Sequence, residues 1–175
     1  MLISSCGEGT KEPPKAEIYE VKNIGLLSTS EYTIGKIIKL DHVPEWYKIG
    51  DRKILISCKA KIKAGVDLKK LRDGDIVLNG TTLTILLPPA EITTFTMDPK
   101  LTHTEMESVS GFRQAFTQAE KNDFMRQGEK SIRHDIKETK ILQDAEENAA
   151  VFLRDFYKQM GYEKVVVKHR KAEIK

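Results

Sequence analysis

The run Lys53-Ile54-Leu55-Ile56-Ser57-Cys58-Lys59-Ala60-Lys61-Ile62-Lys63-Ala64 decides the architecture. Ile54, Ile56, Cys58, Ala60 and Ile62 fall on one side of an extended chain, while Ser57, Lys59, Lys61 and Lys63 fall on the other. Successive side chains of a strand point to opposite faces. The alternation therefore predicts an antiparallel sheet with one face on a core and one in water. Cys58 lands on the inner face as a small, inert apolar residue. Lys59, Lys61 and Lys63 make a basic stripe on the wet face. Protection of a sheet edge is the usual work of such lysines; an anionic ligand or a lipid headgroup is the other use.

Upstream, Tyr32, Ile34, Ile38 and Leu40 share one alternating register, so a strand occupies about 31–40 within β-rich material over 17–41. A loop holding Pro44 and Trp46 follows. Downstream, Ile76 and Leu78 lead into Asn79-Gly80, the signal of a type I′ hairpin turn. Leu83, Ile85 and Leu87 return on one face, and Pro88-Pro89 ends the pairing because proline has no N–H to donate.

Beyond residue 100 the period lengthens. Thr117 and Glu120 have capping-box spacing and open a helix to about residue 138, with Phe124, Gly128, Ile132 and Ile136 on its buried side. Glycine in mid-helix costs about 1 kcal/mol against alanine, which points to a close crossing at Gly128. Leu142, Ala145, Ala149, Phe152, Phe156 and Met160 mark a second helix over about 141–160, stopped by Gly161. Val165–Val167 forms a last short strand. The expected class is α+β: an antiparallel sheet with two amphipathic helices packed on one face.

The 175 residues suit one domain, and 31% charged residues of both signs at 39% hydrophobic content exclude global disorder. The formal charge of +3 comes from the C-terminal fringe, where Lys164, Lys168, Arg170, Lys171 and Lys175 face only Glu173. A basic cluster at a terminus is usually solvated, so residues 169–175 read as a tail and no nucleic-acid partner is expected. Two cysteines exclude a disulfide framework and a cysteine-built zinc site.

Chemical motifs are sparse. His42, His103, His134 and His169 are far apart and match no metal-ligand spacing, and neither a G-x-S-x-G elbow nor a P-loop occurs. No catalytic residue, metal or cofactor is expected. Asp67, Asp73 and Asp75 cluster near Gly65 and Gly74, where aspartates commonly cap turns through the backbone. Asp67 is the weak binding candidate among them. Were the protein an enzyme, its site would be built from dispersed acids, with Asp67 and Asp98 as candidates.

The N-terminus bears on address. Ile3-Ser4-Ser5-Cys6 resembles a bacterial lipobox, and residues 7–15, with two glycines and two prolines, read as a polar tether. Only Leu2 and Ile3 precede the serines, so the apolar stretch of a signal would have to lie upstream of Met1. Residues 1–15 are thus expected to be a lipid-bearing leader and tether, and 16–168 a single domain. If Met1 is the true start, the location is cytoplasmic and the protein an adaptor using its basic tail or second helix.

Ala64-Gly65-Val66-Asp67-Leu68 and Leu87-Pro88-Pro89-Ala90-Glu91-Ile92 resemble the bacterial domain-of-unknown-function family 4230. The likeness spans about 20–168: a strand into A-G-x-D-L, a hairpin, L-P-x-x-x-I, two alanine-containing helices, a glycine and a valine-rich strand. It implies a fold and an address, since similar members are often membrane-anchored or exported, and no established activity. A looser similarity joins the chain to stomatin/prohibitin-type scaffold domains. The resulting expectation is a non-enzymatic cell-envelope lipoprotein, held in the membrane through Cys6, that binds an unidentified protein or ligand. Self-association is left open.

Overall fold

Strand β2 (Arg52–Asp67) contains the decisive run and is flanked on both sides. The computed structural model describes residues 18–41, 50–97 and 99–170. Before β2 come helix α1 (Ile18–Ile24) and strand β1 (Leu26–Asp41); after it come β3 (Ile76–Asn79), β4 (Thr82–Leu87), β5 (Glu91–Met97) and β6 (His103–Val109). Helices α2 (Gln118–Asp135) and α3 (Ile141–Gln159) and strand β7 (Lys164–His169) complete the fold.

The α+β class stands, with a division of strands that alternation alone does not reveal. β1 pairs antiparallel with β2 from Leu26↔Asp67 to Asp41↔Lys53. On the other side of β2, β5 pairs over residues 60–65 and β6 over 52–57, end to end. A second, three-stranded sheet has the order β3-β4-β7, and β7 runs parallel to β4. Parallel neighbours need a long crossover, which here includes both α2 and α3. α1 replaces the first part of the expected β-rich segment and ends at Gly25, whose φ is 71°.

The hairpin turn also differs from the expected Asn-Gly type. Asn79 pairs with Thr82, leaving Gly80 and Thr81 as the central residues. Gly80 has φ 59° and, among the described residues, no non-glycine residue has positive φ, which fits a type II′ turn with glycine first.

Each sheet has its own apolar core. Ile54, Ile56, Cys58, Ala60 and Ile62 of β2 meet Phe116, Phe124, Ile132, Ile136, Ile141 and Ala145. Leu83, Ile85 and Leu87 of β4 meet Val21, Val66, Leu68, Leu153, Tyr157 and Val165. α3 bridges the two. Ala145 and Ala149 are buried as expected and Phe156 and Met160 pack partly against the core, but Ile141, Leu153 and Tyr157 take the fully buried places beside Leu142, Phe152 and Phe156. Leu142 and Phe152 are exposed instead. The physical reason is that Tyr157 belongs to the core, while Phe152 stacks on Phe156 at the helix flank with centroids 6.2 Å apart.

α2 follows its pattern closely. Glu120 N–H donates to Thr117 Oγ1 at 3.3 Å and Thr117 N–H donates to Glu120 Oε2 at 2.8 Å, completing the capping box. Phe124, Gly128 and Ile132 are buried. At Gly128 the helix approaches β2 so closely that a Cβ would lie 2.6 Å from Cys58 Sγ. The close crossing is thus made against a side chain, and burial raises the Cys58 thiol above its ordinary value.

This contact predicts compensation. Gly128→Ala should cost about 1–2 kcal/mol, overpacking exceeding the gain in helix propensity, and Cys58→Ala about 1 kcal/mol through lost packing. In the double variant the new methyl enters the space vacated by sulfur. Urea melts should show it more stable than the sum of the single changes by about 1 kcal/mol; strict additivity would refute the contact.

Candidate functional site

The two faces of the long sheet meet different surroundings. Hydrogen-bonded strand neighbours share a face, so the pairing places Lys39, Leu55 and Met106 in one row on the side away from the helices. Ile37, Ser57 and His103 form the next row, followed by Gly35 beside Lys59. Thr33, Lys61 and Thr96 come next, then Glu31, Lys63 and Thr94. Lys53, between Asp41 and Ser108 in the pairing, stands beyond the first row.

Lys59, Lys61 and Lys63 are exposed, as the alternation requires. Edge protection is not their role, because β2 is the middle strand with partners on both sides. Lys63 Nζ pairs with Glu31 Oε2 at 3.3 Å, and His103 Nε2 lies 2.9 Å from Glu105 Oε1. Lys39, Lys53, Lys59 and Lys61 have no carboxylate partner among the described residues. Apolar groups interrupt the charge: Ile37 is 58% exposed and Met106 44%. The surface is cationic and partly apolar along the length of β2, which suits an extended anionic partner better than a small substrate.

The helical side of β1 contains a cleft of about 440 Å³ whose walls include Thr29, Tyr32, Asp144 and Asn148. Its polar groups bind one another. Tyr32 O–H donates to Asp144, Thr29 Oγ1 to Ala145 O at 2.9 Å, and Asn148 Nδ2 to Ser30 Oγ at 3.1 Å. The hydrogen bond to Asp144 is the largest cause of the raised Tyr32 pKa, followed by desolvation. These residues latch α3 to the irregular start of β1. Tyr32 and Asp144 are 112 positions apart, so no sequence spacing marks the pair.

The acids near Gly65 and Gly74 serve turns and ion pairs. Asp67 accepts the Lys69 backbone N–H at 3.0 Å and caps the 3-10 turn Leu68–Lys70. Asp73 pairs with Lys22 at 3.8 Å. Asp75 accepts the Arg72 N–H at 2.6 Å and the Arg170 guanidinium. Arg170 N–H also donates to Leu87 O at 2.8 Å, so the first part of the expected basic tail is folded against the second sheet. Burial pushes the Asp75 carboxyl up, but the Arg72 N–H and Arg170 together outweigh it and hold the pKa below 3.8. Cys6, His42, Asp98 and residues 171–175 lie outside the described residues.

Arg52 makes a further latch. It donates to Glu120 at 3.0 and 3.1 Å and lies 4.0 Å over the Phe116 ring. Hydrogen bonding from Arg52, then from the Thr117 backbone, lowers Glu120 from 4.5 to about 2. Among the described residues no group of three or more His, Cys, Asp or Glu side chains has metal-binding geometry, and no helix is long and apolar enough to cross a membrane.

Comparison with known proteins returns one family model, described as a protein of unknown function (DUF4230), over residues 20–167. No curated protein and no solved structure matches, and the looser likeness to stomatin/prohibitin-type scaffold domains is not confirmed.

Two predictions follow from the acids. Asp67→Ala should lower stability by about 1 kcal/mol through the lost cap, read in a thermal melt. An unchanged Tm with loss of a binding interaction would instead make Asp67 a contact residue. The folded pKa values of Asp75 and Glu120 lie below their ordinary 3.8 and 4.5, so their contribution is complete above those values and disappears as pH falls through the folded ones. Tm should therefore decline from about pH 4.5 toward 2, and Asp75→Asn should make that decline shallower while lowering Tm at neutral pH. An identical acid profile would reject the Asp75 assignment.

Proposed function

The chain belongs to the DUF4230 family of proteins of unknown function, and from that premise we propose that it is a bacterial cell-envelope lipoprotein whose folded domain is a non-enzymatic binding or scaffold module. The observation that carries the proposal is Ile3-Ser4-Ser5-Cys6 followed by the polar segment 7–15. The cysteine thiol would take the lipid, and the Gly/Pro-rich segment would hold the domain off the membrane.

The module half of the reading is supported by the sheet. Its helical face is occupied by apolar packing, and its other face offers lysines and apolar side chains to a partner. The Asp67 alternative for catalysis gains nothing from a carboxylate already engaged at a turn.

Metabolic labelling with a palmitate analogue tests the anchor. Label should enter the wild-type protein in its bacterial host and be lost in Cys6→Ser, with a matching shift from membrane to soluble fraction. Equal labelling of both would remove Cys6 as the attachment site.

A further inference from the structure

We propose that the open face of the four-stranded sheet is a docking surface for an anionic phospholipid bilayer, with Lys39, Lys53, Lys59, Lys61 and Lys63 meeting headgroups and Ile37, Leu55 and Met106 entering the interface between them. The inference deepens the reading of the domain as a binding module and does not require the lipid on Cys6.

Four observations select this occupant. First, the face carries five lysines against three acids: Glu31, which pairs with Lys63, Glu105, which lies beside His103, and Asp41, the register neighbour of Lys53, so cations remain in excess. Its charge is complementary to an anionic surface. Second, Lys59, Lys61 and Lys63 alternate along the middle strand, with backbone positions about 6.6 Å apart, while Lys53 to Lys63 covers about 33 Å of strand. Such a row is long enough to meet several headgroups together, whereas one small anion would engage only part of it. Third, Ile37 and Met106 are exposed amid the lysines with Leu55 between them. Apolar insertion combined with electrostatic attraction is how interfacial segments hold to anionic lipid.

Fourth, the charged groups are lysines rather than arginines. A compact ammonium on a flexible stem suits mobile headgroups, whereas bidentate arginine suits fixed recognition of phosphate or carboxylate. Among the described residues no Phe, Tyr or Trp lies in these rows and His103 is the one aromatic ring, so the repeated stacking platform of a single-stranded nucleic-acid surface is not built here. At the end of the sheet nearest Lys53, Ser110 N–H donates to Asp51 O at 2.9 Å and Asp51 N–H donates to Ser110 Oγ at 2.9 Å. This junction leads into Gly111 and Phe112, the latter 93% exposed, which supplies another apolar group at that end.

The test uses the full chain with Cys6→Ser, so that lipidation contributes nothing. Sedimentation is compared for vesicles of phosphatidylcholine alone and of phosphatidylcholine with phosphatidylglycerol at three to one. The expected result is partition into the mixed vesicles only, suppressed by about 0.5 M salt. Lys59→Gln, Lys61→Gln and Lys63→Gln together should weaken partition about 100-fold. The same charge removed from the helical side by Lys130→Gln, Lys137→Gln and Lys140→Gln should change it only a few-fold. Ile37→Ser, a change at an exposed position, should weaken it about tenfold at constant charge, and reads the apolar contribution separately.

Failure to bind the mixed vesicles at low salt would overturn the inference, as would equal losses from the two lysine triples. Capture by soluble polyglutamate without vesicle binding would reassign the face to an acidic polypeptide. None of these outcomes bears on labelling at Cys6, so the anchor and the docking face stand or fall separately.

Discussion

β2 has hydrogen-bonding partners on both sides over most of its length, so its side chains can act only through its two faces. On the inner face the residues at the helix crossing must be small. Cys58, Ala60 and Ala64 are fully buried there, and α2 carries glycine at the contact with Cys58. A larger residue at either member of that contact would lift the helix from the sheet. Phe124 and Ile132 would then lose part of the packing that closes this core. One close approach sets the separation of the two layers.

The length of β2 creates a second requirement. Its first part serves one core, and Val66, with Leu68 just beyond the strand, serves the other. The change of partner occurs at an irregularity between Ser28 and Ser30 of β1. A Cβ on Gly65 would lie 2.2 Å from Leu27 O, so only glycine fits that approach. Ala64-Gly65-Val66-Asp67-Leu68 therefore has a geometrical explanation: a small inner residue, a close backbone crossing, a core residue, a cap and another core residue. One of the two segments that carry the family resemblance is thus where the chain leaves one core and enters the next.

Elements with one strongly apolar face were readable. β2, the β4 register, α2 and its capping box all follow from periodicity because a single core dictates their buried positions. β5 and β6 were not, since neither has a fully buried residue and each is held by pairing with distant positions of β2. α3 exposes an intermediate case. Two sheets share its surface, and a polar-tipped Tyr157 supplies core packing that an aliphatic stripe does not register. The lysine face was visible as alternation, whereas its position in the middle of a sheet was not, because edge or centre depends on which strands pair. Tyr32–Asp144 and Arg170–Asp75 join residues brought together only by tertiary structure.

The use of charge separates the faces further. On the helical side Lys36 pairs with Asp135 at 2.8 Å, Arg52 with Glu120, and Lys121 with Glu107 at 2.6 Å. Those pairs join different elements and contribute to the fold. Lys39, Lys53, Lys59 and Lys61 join nothing among the described residues. Adjacent outward lysines have backbone positions about 6.6 Å apart, within the roughly 8 Å Debye length at physiological salt, so their repulsion is only partly screened. An anionic partner would reverse that term, turning mutual repulsion into shared attraction. Such a partner would thus gain from the lysine arrangement, while the packing beneath it keeps the array in register.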